Sequence, residues 1–189
     1  MPITITPGEE VGFVADLQPA RQAVNCAERS YLALSTLMEV KFPFLPGIPA
    51  FFSQLARDAD LDQESIQNFN RRFVRLPPND DETASTPPAP YRESQPESFI
   101  HERFAELPTP QGAFDLAADV ELHVLRFFDN LKDQLIFFND HEAFSFIANL
   151  QQRIWNRFEK NDCFARRLSD PTNIASMVIV DTYMESYIR

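Results

Sequence analysis

Apolar residues recur every three or four positions through most of the chain, the spacing that turns one face of a helix toward a core. Val24, Ala27, Tyr31, Leu34 and Met38 follow it after Pro19, which suits a first helical turn, and predict a helix over 19–41. The segment FPFLPGIPA (42–50) interrupts the pattern with three prolines. Pro49 can open a second helix carrying Phe51, Phe52, Leu55 and Ala59. Asp62 then reads as an N-cap, with Leu61 and Ile66 as its hydrophobic staple, for a helix through Ile66, Phe69, Phe73 and Val74 that stops before Pro77-Pro78. Helical spacing resumes over 96–107 with Phe99, Ile100 and Phe104.

Thr109-Pro110 predicts a cap and first turn for the longest helix, 110–138, with Phe114, Ala117, Val120, Val124, Phe127, Phe128, Leu131 and Leu135 inward. Asn139-Asp140 makes a short turn into a helix over 141–161, so these two form an antiparallel hairpin. Asp170-Pro171 opens a last helix with Ile174, Met177, Val178, Asp181 and Met184. Only ITIT near the start reads as strand, and one short strand has no partner. The expected fold class is therefore all-α: a helical bundle of five to seven helices forming a single domain over 1–189.

Composition sharpens this picture in one place. Of the 15 prolines, six fall in residues 77–97, which also carry a net charge of −4 and almost nothing to bury. This stretch is expected to be a flexible, Pro-rich acidic loop within the domain. The whole chain has a formal charge of −11, which argues against broad phosphate binding and makes nucleic acid an unlikely partner. Four glycines in 189 residues are too few for a turn-rich β fold or for most phosphate-cradling loops. The first residues hold no signal-peptide pattern and no apolar run approaches ~20 residues, so a cytoplasmic protein with no membrane association is expected. Cys26 and Cys163 form no CxxC and read as reduced thiols, with a disulfide between them left open. Arg outnumbers Lys 14 to 3, which hints at a bacterial source.

The fragments AERSYLALSTLMEV, DVELHVLRFF and FSFIANLQQRIWNRF, within helices at 19–41, 51–75, 110–138 and 141–161, resemble the ferritin-like and rubrerythrin-like four-helix bundles. That resemblance implies a bundle whose core carries single Glu ligands on two helices and Glu-x-x-His turns on two others. Glu121 matches one single Glu. The other implied positions do not match. The first helix offers Val24, with Glu28 one turn later, and the second comes nearest with Glu64-x-x-Gln67. The motif positions of the fourth bundle helix are Gln151 and Ile154. His101, His123 and His141 are preceded at three positions by Ser98, Val120 and Phe138, so acid-x-x-His occurs nowhere. The resemblance thus implies a bundle without a di-iron centre, and no metal, cofactor or catalytic residue is expected.

There is likewise no GxSxG elbow, phosphate loop or GxGxxG, which leaves enzymatic activity unmarked. Residues 54–76 resemble a helix-turn-helix, with Leu61 in the turn and Gln63, Gln67, Asn68, Asn70, Arg71 and Arg72 on a reading helix. Asp58, Asp60, Asp62 and Glu64 crowd the end that would enter the groove and remove its electrostatic pull. What stands out instead is aromatic. Phe42, Phe44, Phe51 and Phe52 surround the three prolines, and Arg153, Trp155 and Arg157 sit together on the fifth helix, a candidate protein interface.

These features lead to the expectation of a non-enzymatic bacterial regulatory protein acting by protein–protein interaction. It would be an inhibitor, antiactivator or adaptor, its acid excess steering it to a transcription regulator or other protein with a basic surface. Self-association into a homo-oligomer is compatible with the same surface. The alternatives are a ferritin-like metal-dependent oxidoreductase or storage protein, and a helix-turn-helix DNA-binding regulator.

Overall fold

The computed structural model of the chain describes residues 17–73, 96–106, 108–137, 141–168 and 174–188. These form six helices: α1 (Gln18–Lys41), α2 (Gly47–Phe73), α3 (Pro96–Glu106), α4 (Pro110–Phe137), α5 (His141–Arg167) and α6 (Ile174–Ile188). The fold is an all-α helical bundle, and no strand occurs among the described residues. Of the expected 77–97 loop, residues 77–95 lie outside the described set, as do ITIT, Val74 and Asp170-Pro171, while Pro96 and Glu97 begin α3.

Residues 42–46 alone separate α1 from α2, and contacts between the two reverse their order: Glu28 meets Gln63, and Ser35 meets Ser53. α4 and α5 are likewise antiparallel, with Asp129 against Gln151 and Glu121 against Arg157. Between α2 and α4 the order is kept, since Phe52 packs on Phe114 and, further along both helices, Asp62 and Glu121 meet on the same Arg157. Two parallel helices cannot be joined by a tight turn, and α3 is the described part of the chain between them. α3 lies over α1 and α4, burying Ile100 and Phe104, and α6 packs mainly on α2.

The helix ends follow from local chemistry. Pro19 stands in the first turn of α1, where its missing N–H costs nothing, and the Leu17 N–H donates to Asn70 Oδ1 at 3.2 Å. Thr109 Oγ1 accepts from the Gly112 N–H at 3.0 Å, the cap its sequence predicts, with Pro110 as first helical residue. At the start of α2 the Ile48 N–H donates to Asp181 Oδ1 of α6 at 2.9 Å. A methyl group on Gly47 would lie 2.3 Å from the Asp181 carbonyl oxygen, so only glycine lets α6 come this close.

The expected break near residue 61 is absent. α2 runs without interruption from Gly47 to Phe73, so Asp62 is no N-cap, Pro49 is its third residue, and the turn expected at Leu61 for a helix-turn-helix is absent. α5 also runs six residues past its expected end, to Arg167. The doubled aromatic at 127–128 divides between a buried Phe128 and a Phe127 partly packed on the same core. Cys26, half-buried, and Cys163, exposed, are not joined by a disulfide. No helix among the described residues is long and apolar enough to cross a membrane.

Candidate functional site

The inward stripe of each of the four long helices is interrupted by polar side chains, one each on α1, α2 and α4 and two on α5. On α1 the stripe is Val24, Ala27, Tyr31, Leu34, Met38, and on α2 it is Leu55, Ala59, Asp62, Ile66, Phe69. On α4 it is Phe114, Ala117, Glu121, Val124, Phe128, and on α5 it is Leu150, Ile154, Arg157, Asn161, Phe164. The alternating three- and four-residue steps keep all of these on one helix face, so the polar members point into the bundle as firmly as the apolar ones. They meet in one layer. Phe51, Phe52, Phe114 and Phe164 fill the core on one side of it, with ring centroids 5.0–6.1 Å apart, and the stacked pair Phe69–Phe146 lies on the other.

Arg157 is the hub of the layer. Its Nε donates to Glu121 Oε1 at 2.6 Å, and its Nη1 donates to Asp62 Oδ2, also at 2.6 Å. The Tyr31 hydroxyl donates to the same Glu121 oxygen. Arg153, one helical turn earlier and half exposed, donates through Nη2 to Asp62 Oδ1 at 2.9 Å. Among the described residues, four buried side-chain polar atoms have no hydrogen-bond partner: the acceptors Glu121 Oε2 and Asn161 Oδ1, and the donors Arg157 Nη2 and Asn161 Nδ2. An open groove of about 310 Å³ between α2 and α5, lined by Asp58, Ser65, Arg153 and Lys160 among others, leads from the surface to Asp62 and Arg157.

Burial governs the electrostatics. It pushes the Glu121 carboxyl above its ordinary range, against the opposing pull of Arg157 and of the Tyr31 hydrogen bond. Burial and then the Glu121 charge hold Tyr31 well above its usual value, so it stays a phenol. For Arg157 burial acts downward, but its neighbours Glu121, Tyr31 and Asp62 outweigh it and the guanidinium is raised. The layer therefore holds a permanent buried cation facing two acids.

Of the residues singled out from the sequence, the structure brings Glu121, Asp62 and Arg157 into this layer, with Arg153 at its outer edge. Phe51 and Phe52 are core residues and Arg157 is buried, so none of the three belongs to a surface. Phe44 and Trp155 are exposed, at 59% and 43%, Phe42 is half-buried, and Arg153 reaches back to Asp62. Glu64 is exposed, Glu28 accepts a bond from Gln63, and Gln151 donates to Asp129. Val24 and Ile154 are wholly apolar core, and all three histidines are exposed. Local reading missed Tyr31, Asp62 and Asn161 as site residues, although each occupies an apolar stripe position where a polar side chain is unusual.

No known family description matches this chain, and no curated protein matches it. Solved structures do. Two variants of PmFTN, both soaked in iron, superpose with TM-scores of 0.66 and 0.65 at 15% identity, covering 87% of this chain and 92% and 94% of theirs. Ferritin from the multicellular green alga Ulva pertusa superposes with a TM-score of 0.66 at 14% identity, covering 93% of this chain and 86% of its own. The fold is thus that of a ferritin-like bundle, as the sequence resemblance implied. The expectation of a regulatory protein acting on a transcription regulator is overturned by the same finding, since these structural relatives are ferritins.

A di-iron centre does not fit the central layer. Among the described residues no three His, Cys, Asp or Glu side chains gather as a metal site. Asp62 and Glu121 are instead drawn onto the guanidinium that lies between them.

Proposed function

We propose that this chain is a storage protein of the ferritin kind, in which the bundle builds a container for iron and its centre takes no part in iron oxidation. The observation that supports this reading is the extent of the likeness: it runs over most of the length of each ferritin compared, not over a four-helix fragment alone. Of the two activities open to such a bundle, storage asks nothing of the central layer, whereas oxidation would need ligands that Asp62, Glu121 and Arg157 do not supply.

The interior of a single bundle is filled by side chains such as Phe51, Phe114 and Phe128, so cargo must lie in a space enclosed between copies. Leu32, Val40, Ile136 and Ile179, all exposed, supply apolar area for such contacts. Two measurements on the purified protein test this reading. Sedimentation is expected to show a closed particle of many chains, and aerobic loading with iron(II) is expected to leave iron inside it. Oxidation is expected to run at the same rate in wild type and in Glu121→Gln. A monomer that retains no iron overturns the storage role.

A further inference from the structure

We propose that the Arg157 guanidinium is the resident cation of the bundle centre, standing in a divalent cation's place, so that its removal turns the same residues into a metal site. This goes beyond the storage reading and does not depend on copies assembling, because every group involved belongs to one bundle.

Three observations carry it. Arg157 joins one carboxylate from α2 to another from α4, bridging helices that have no direct bond to each other in this layer. Two inward carboxylates from different helices are what a bridging cation requires, and the bundle meets that need with a side chain. The layer is also under-satisfied in a telling way: Glu121 Oε2 and Asn161 Oδ1 are buried acceptors with no donor among the described residues. With the guanidinium gone, Asp62 and Glu121 remain as inward carboxylates about the space it leaves, with the buried Asn161 amide one turn along α5, oxygen donors of the hard kind suited to manganese(II) or iron(II). Finally, the groove between α2 and α5 reaches Asp62 from solvent, so an ion has a route in. What keeps ions out of the wild-type centre is charge. A second cation would have to sit against Arg157, with Arg153 already on the outer oxygen of Asp62.

Cobalt(II) is the probe, followed by its visible absorption and by calorimetry on the full chain. Wild type and Arg157→Lys, which keeps the charge, are expected to bind no cobalt at this centre. Arg157→Gln is expected to bind about one ion per chain, and Arg157→His, which adds an imidazole to the oxygen set, to bind about tenfold tighter or more. Adding Glu121→Gln to either variant is expected to abolish the spectrum. Thermal melting gives an independent readout. Cobalt is expected to raise the Tm of both Arg157 variants and leave wild type unchanged, as binding to the folded state alone requires.

The proposal is overturned if wild type binds cobalt in a way that Glu121→Gln removes, because the centre would then accept a metal beside Arg157. It is overturned equally if folded Arg157→Gln and Arg157→His bind none. Should both variants fail to fold, refolding with and without cobalt decides the matter: rescue by the metal supports the exchange of cations, and no rescue overturns it. None of these outcomes touches particle size or retained iron, so the storage reading stands or falls separately.

Discussion

Arg157 has 5% of its side chain exposed, and both of its acidic partners are as deeply buried. Charges in such surroundings contribute little net stability when paired and cost a great deal when one partner is lost. Arg157→Ala should therefore destabilise the bundle by about 3–5 kcal/mol in urea denaturation, since it strands two carboxylates in the core. Replacing the layer as a whole has a different outcome. A triple variant, Asp62→Leu, Glu121→Leu and Arg157→Met, should lie within about 1–2 kcal/mol of wild type or above it, because no charge is left without a partner. A single variant as stable as wild type would mean the layer is wetter than its burial indicates.

This layer was only partly legible in the sequence, for a physical reason. Asp62 and Arg157 lie 95 residues apart and Tyr31 and Glu121 lie 90 apart, so no local pattern joins them. Read locally, Asp62 resembles a cap and Arg157 a neighbour of Trp155 on a polar face. Only the stripe spacing held the signal, since a charged residue at an inward position demands a partner of opposite charge on a facing helix.

At the scale of elements, helices were legible because their apolar stripes and caps are local properties. Thr109 with Pro110 is a clear instance. The error came where local chemistry had two readings. Asp60-Leu61-Asp62 suits a helix start, but Asp62 takes its partners from α5 and so has no reason to cap its own backbone. Docking of α6 on α2 invites a direct test. Gly47→Ala should cost about 1–3 kcal/mol, because the added carbon collides with the Asp181 backbone. Elsewhere in a helix the same exchange stabilises, so the sign alone checks the close approach.

A second test uses charge between α4 and α5. Partial burial of this largely exposed side chain, followed by the nearby Asp119 and Asp162, holds the Asp115 carboxyl above its ordinary value of 3.8. A carboxyl raised in the folded state costs stability when it is ionised, fully so above its folded pKa and not at all below 3.8, where both states are protonated. Asp115→Asn should therefore raise the Tm at neutral pH, and the gain should shrink as pH falls and vanish below 3.8. A gain that persists in acid would assign it to something other than this charge.

For the whole molecule, topology was the least legible property. The sequence pattern gives helices and turn lengths, and so the two hairpins, but not that α2 and α4 run parallel. That relation rests on contacts such as Phe52 with Phe114, across 62 residues. Exposed apolar residues were equally hard to place from spacing alone. Phe51 and Phe44 look alike in sequence, yet one is core and the other open to solvent.

The Asp181 bond to the start of α2 bears on how the chain is made. Its two ends lie 133 residues apart, and at roughly 5–20 residues per second a ribosome needs about 7–27 s to travel between them. Throughout that interval the first turn of α2 waits in the nascent chain without its partner. Helix α2 is therefore sealed at its first turn only once Asp181 of α6 has been made.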